Sequence, residues 1–114
     1  MNVSIDSSAL ENMQSLLGEQ FEDTLVFCCS EFERLENDLK LALNSDRQEA
    51  IRHAHSLKSN AAQFGATSLS STARAIEQGL MKGDDVTVSE NMEQISEQVL
   101  GSKSQLLQWL SMHP

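Results

Sequence analysis

Proline is almost missing from this chain: the only one, Pro114, is the last residue, so no interior position carries the residue that breaks helices. Tyrosine is absent, aromatic residues make up 4% of the chain and β-branched residues are sparse, which leaves a poor strand-forming mixture. Cysteine is limited to the adjacent pair Cys28 and Cys29, which cannot staple distant segments. Positive charge is scarce too. Eight Lys and Arg against seventeen Asp and Glu give a net charge of −9, which argues against partners held by phosphate backbones or anionic lipid. No apolar run approaches the roughly 20 residues needed to span a bilayer. The first residues lack the basic and apolar regions of an export signal. The expected location is the cytoplasm, with neither nucleic acid nor membrane as partner.

What is present is Leu, Ala, Gln, Glu and Ser, a helix-forming set, in 114 residues, enough for a single domain over 1–114 with one modest core. Ser8-Ala9-Leu10-Glu11 has the form of a capping box and predicts a short first helix through Leu16 and Leu17, closed by Gly18. A long second helix is expected from about Gln20 to Leu43, with Phe21, Leu25, Cys28, Phe32, Leu35, Leu39 and Ala42 as its apolar stripe. Glu36 falls on its solvent side, Cys28 reads as a small core hydrophobe and Cys29 as an edge residue. Val26 and Phe27 lie off the stripe, to be packed under the first helix in preference to forming an apolar rim for a partner. Asp46 to Glu49 opens a third helix that runs to Phe64, with Ala50, Ala54, Leu57, Ala61 and Phe64 inward and Gly65 as its left-handed end. Thr67 is the expected cap of a fourth helix built on Leu69, Ala73, Ile76 and Leu80. Thr87 to Glu90 would cap a fifth, which Gly101 weakens and bends. These segments and short turns predict an all-α antiparallel four-helix bundle, with the first helix covering one end.

One residue does not fit a plain bundle. At about 100° per residue His55 points roughly 140° away from the inward face of the third helix, and is therefore exposed. Gln48, Ile51, Arg52, Lys58, Ser59 and Ala62 share that face, which has no carboxylate between Arg52 and Phe64. An unperturbed imidazole, with a pKa of about 6.5, keeps a free lone pair near neutral pH. Lys58, at i+3, can reach a phosphoryl group on that nitrogen, and the small Ser59 and Ala62 leave room for another protein.

The stretch Ala54-His55-Ser56-Leu57-Lys58-Ser59-Asn60-Ala61-Ala62-Gln63-Phe64-Gly65-Ala66 resembles the signature of histidine phosphotransfer (HPt) domains, H-x-L-K-G/S-x-A-x-x-x-G, and the likeness continues through Leu69, Ala73 and Ile76-Glu77. Ser59 departs from it, since the family most often has Gly there. The resemblance implies a stand-alone phosphorelay intermediate. His55 would take a phosphoryl group from a receiver-domain aspartate, in a response regulator or hybrid sensor kinase, and pass it to another receiver, with Lys58 as charge partner. It implies no kinase domain, no cofactor on this chain, and Mg2+ on the receiver. His55 lies ten residues before Gly65 and Glu77 twelve after it, so two antiparallel helices bring them to similar height. Glu77 could then accept a hydrogen bond from the second ring nitrogen and fix the tautomer.

Plainer readings stand beside these. Arg52 reads as a solvent charge more readily than as a phosphate ligand; Gln48, Ile51, Ala62 and Gln63 are either partner contacts or inert surface. His53 is expected to pack at the core boundary and His113 to fray. A helical adaptor that binds a receiver without accepting phosphate is the alternative function. A metal-holding bundle would need E-x-x-H spacing, which Glu49-Ala50-Ile51-Arg52 does not offer. A single functional His needs no dimer, so a monomer is expected.

Overall fold

Apolar residues at steps of three and four, with no interior proline between them, give helices nearly end to end. The computed structural model describes residues 2–114, and among these five α-helices form: α1 (Ser7–Leu17), α2 (Phe21–Ala42), α3 (Arg47–Gln63), α4 (Thr67–Lys82) and α5 (Asp85–Met112). A 3-10 turn over Gly18–Gln20 joins α1 to α2. Helices α2 to α5 make an antiparallel bundle of 43 × 24 × 18 Å in which α3 lies between α2 and α4, α4 packs on α5, and α5 closes back on α2. No helix among the described residues is long and apolar enough to cross a membrane.

The inward sets expected for α2, α3 and α4 are all buried, with Phe32, Leu25, Leu39, Leu57, Leu69 and Ile76 fully enclosed. Each such side chain contributes about 1.5–3 kcal/mol of hydrophobic stabilisation. Ala50, Ala54 and Ala61 are also fully enclosed, and their small size lets α3 approach its neighbours closely. Phe21 meets both Phe64 and Trp109, with ring centroids 6.5 and 5.9 Å apart, at the end of the bundle that α1 covers.

Helix α3 ends in a Schellman turn. Ala66 N–H donates to Ala61 O (2.8 Å) and Gly65 N–H to Ala62 O (3.2 Å), with Gly65 at φ +76°. A side chain on Gly65 would be strained at this φ and would also place Cβ 2.6 Å from Asp6 O. That contact exists because Asp6 N–H donates to Gly65 O (2.7 Å), tying the N-terminal segment to the α3–α4 turn.

Several local expectations need correction, some of them because this N-terminal segment packs. Asp6, held extended, caps α1 through a bond from Ser8 N–H, so Ser8 lies inside the helix and is not its cap. Thr67 does not cap α4. Its hydroxyl turns instead to Ser4, and the preceding turn leaves Ala66 in the cap position. Asp84 caps α5 by accepting from Thr87 N–H and Oγ1–H, so the helix begins at Asp85. Gly101 lies within α5, and its missing side chain leaves room for Val3, whose Cγ2 would lie 2.5 Å from a Cβ there. Glu36 is buried where α5 crosses α2, bonded to Lys40 (2.6 Å) and Ser96 (2.5 Å). His113 is not frayed: its ring stacks on Trp109 with centroids 4.0 Å apart. Val26 and Phe27 are exposed, so the preference for packing them under α1 is wrong.

Candidate functional site

The Schellman turn sets the register between α3 and α4, and that register brings His55 beside Glu77. The His55 side chain is 58% exposed, whereas the Glu77 side chain is 11% exposed. His55 Nδ1 lies 2.7 Å from Glu77 Oε2, and Lys58 Nζ donates to Glu77 Oε1 at 2.7 Å. One carboxylate therefore spends one oxygen on each partner. Burial acts to raise the Glu77 pKa, but the hydrogen bonds from Lys58 and His55 and the charges behind them outweigh it and hold the carboxyl below its usual range.

A carboxylate can only accept, so a neutral His55 in this arrangement carries its proton on Nδ1. Nε2 is left with its lone pair and has no hydrogen-bond partner among the described residues. The arrangement orients the ring, with a negative group at Nδ1 and an unpartnered Nε2. Lys58, 28% exposed at its side chain, keeps N–H donors beyond the one given to Glu77. Ser70 Oγ donates to Lys58 O (3.0 Å), pinning α4 against the same turn of α3.

Across this face a family model described as Hpt domain matches residues 8–109. The chain belongs to the Hpt domain family. Histidine phosphotransfer in phosphorelay signalling is the function of such a domain, and its phosphorelay partners are receiver domains. The fold is similar to histidine-containing phosphotransfer protein B (HptB) of Pseudomonas aeruginosa, at TM-score 0.88 and 20% identity over 96% of each chain. A rice histidine-containing phosphotransfer protein aligns at TM-score 0.80 and 15% identity, over 94% of this chain and 81% of its own. The maize protein ZmHP2 aligns at 0.72 and 17%, over 93% and 86%. No curated protein sequence matches the chain.

The other candidate residues are arranged around this Hpt centre. Gln48, Arg52, Ser59, Ala62 and Gln63 are exposed, while Ile51 is half-buried against the core. Arg52 is not a free cation: it bonds both oxygens of Glu49, one turn earlier. The expected cationic setting of His55 is thus largely neutralised. Glu77 enters from α4, where the α3 pattern does not register it, and Glu49 draws Arg52 away. His53 sits at the core boundary, 20% exposed, with Nε2 3.6 Å from Glu49.

Arg74 was not singled out from the sequence, and Phe27 was weighed there only as the less favoured apolar rim. Phe27, 64% exposed, lines a groove between α2 and α3 with Cys28, Asn60, Gln63 and Phe64. Arg74, one turn before Glu77 on α4, lines a second groove together with Lys58, Ser59 and Ala62. Its spacing from Glu77 was the one available signal.

Proposed function

We propose that His55 is the phosphorylated residue and that Nε2 is the nucleophile. The observation that carries this reading is the 2.7 Å contact between Nδ1 and Glu77 Oε2 on a ring more than half exposed. It supports a neutral tautomer with the lone pair aimed outward. Nε2 forms its bond to phosphorus as the P–O bond to the receiver aspartate breaks, and that electron pair leaves on the aspartate carboxylate. Nε2 has no proton to lose. The ring gains positive charge while Nδ1 keeps its hydrogen, and the Glu77 carboxylate stabilises that charge where it develops. Transfer to a second receiver reverses these steps. Little further machinery is needed, because phosphoryl transfer depends mainly on positioning and electrostatics. In this reading Lys58 is the charge partner, Mg2+ belongs to the receiver, and no phosphoryl group comes from ATP. The chain works as a cytoplasmic monomer, with Gln48, Ile51, Arg52, Ser59, Ala62 and Gln63 meeting the receiver and Phe27 as an apolar anchor.

Incubation with a phosphorylated receiver tests this. Acid-labile label should appear on the wild type and be absent from His55→Gln. A wild type that binds the receiver yet takes no label would leave only an adaptor.

A further inference from the structure

Of the eight lysines and arginines, six have a carboxylate oxygen within ion-pair distance: Arg34, Lys40, Arg47, Arg52, Lys58 and Lys103. In a chain with a net charge of −9, such pairing is the default fate of a cation. Arg74 is an exception: among the described residues it makes no hydrogen bond or ion pair, and it is exposed. Its position is not arbitrary. It lines, with Lys58, an open groove of about 520 Å³ between α3 and α4, and no carboxylate lines that groove. Three hydroxyls do, those of Ser59, Ser70 and Ser71. Arg74 stands at i−3 from Glu77, the α4 residue that holds His55.

The charge of Lys58 is already opposed by Glu77 at 2.7 Å, which also holds His55. A phosphoryl group arriving on Nε2 brings nearly two negative charges into this setting. A free guanidinium beside Lys58 supplies the missing positive charge and a planar set of donors suited to phosphoryl oxygens.

We propose that Arg74 is a phosphoryl-binding residue of the phosphorylated state, closing from the α3–α4 groove onto the group carried by His55. The proposal rests on His55 being the phosphorylated residue. Arg74 is free before phosphorylation because its partner is the incoming group.

Potassium phosphoramidate supplies the phosphoryl group without a receiver: Nε2 bonds phosphorus as the P–N bond breaks and ammonia leaves. Wild type, Arg74→Gln, Arg74→Lys and Lys82→Gln are phosphorylated in this way, and the second ionisation of the phosphoryl group is titrated by phosphorus NMR. A cation in contact favours the dianion, so its removal raises the midpoint. Loss of an exposed charge-assisted contact should weaken the hold on the dianion roughly threefold to tenfold, moving the midpoint up by about 0.5–1 pH unit in Arg74→Gln. Arg74→Lys should reverse most of that shift. Lys82→Gln removes the same charge from the last turn of the same helix, outside the groove, and should leave the midpoint in place. Equal shifts in Arg74→Gln and Lys82→Gln, or no shift in either, overturn the role of Arg74 while leaving phosphorylation of His55 intact. A wild type that takes no phosphoryl group on His55 overturns both.

Discussion

Replacing Glu77 by Gln keeps the shape of the side chain and removes the charge that faces both His55 and Lys58. Nδ1 lies 2.7 Å from the carboxylate, and at a charge separation of about 4 Å an effective dielectric between ~20 and ~80 makes the attraction to the developing ring charge worth about 1–4 kcal/mol. His55 is 58% exposed, so solvent screening puts the value toward the lower end. A loss of about 1–2 kcal/mol corresponds to transfer roughly 5- to 30-fold slower. An opposing effect exists, since the carboxylate also repels the phosphoryl group. That group carries its charge before and after transfer and moves only a short way, so repulsion changes less across the step than the new ring charge does. The assay is single-turnover transfer from a phosphorylated receiver at saturating concentration, with the His55 tautomer read by ¹⁵N NMR. Gln also offers an N–H that can donate to Nδ1 and shift the proton to Nε2, so the tautomer should move along with the rate. Wild-type rate together with an unchanged tautomer in Glu77→Gln would refute the reasoning. Stability supplies an independent check. The Glu77 pKa is depressed in the folded state relative to its ordinary 4.5, so its contribution is present above that value and is lost as pH falls through the lower folded value. Urea midpoints should therefore fall less steeply with acid in Glu77→Gln than in wild type.

Three further outcomes are expected. Gly65→Ala forces a left-handed φ on a residue with a side chain and pushes Cβ against Asp6 O, so urea unfolding should show a loss of about 2–4 kcal/mol. Phe27→Lys should leave stability within about 0.5 kcal/mol, because the ring is 64% exposed. The same variant should raise the receiver concentration needed for half-maximal transfer at least fivefold, as the loss of an apolar anchor would. Gly101→Ala should destabilise the wild type, where Val3 occupies the space, yet stabilise a Val3→Gly background by up to about 1 kcal/mol, the helix preference of Ala over Gly; thermal melts of the four proteins decide this.

The sequence by itself determined the helices and their inward faces. The stripe of α2 and the alanines of α3 follow one helical period, and burying that stripe leaves a bundle little alternative. It also determined that His55 points outward, because a residue that far round the helix from Ala54 and Leu57 has no core to enter. Local caps were less legible. Ser8 and Thr67 have good capping chemistry, but Asp6 and Ser4 reach the α3–α4 turn from sixty residues away, and a local pattern carries no trace of such a contact. The helix heights also brought Glu77 level with His55, but only the tertiary structure decided how the surrounding charges pair. Along α3 the sequence offers Arg52 and Lys58 with no acid among their neighbours from His53 to Phe64, yet Glu77 crosses from α4 to hold both His55 and Lys58, and Glu49 draws Arg52 aside. Arg74 is left as the unpaired cation of the groove. The physical reason is range: burial follows the period of a single helix, whereas which charges meet depends on the register between two helices, fixed here by the turn at Gly65.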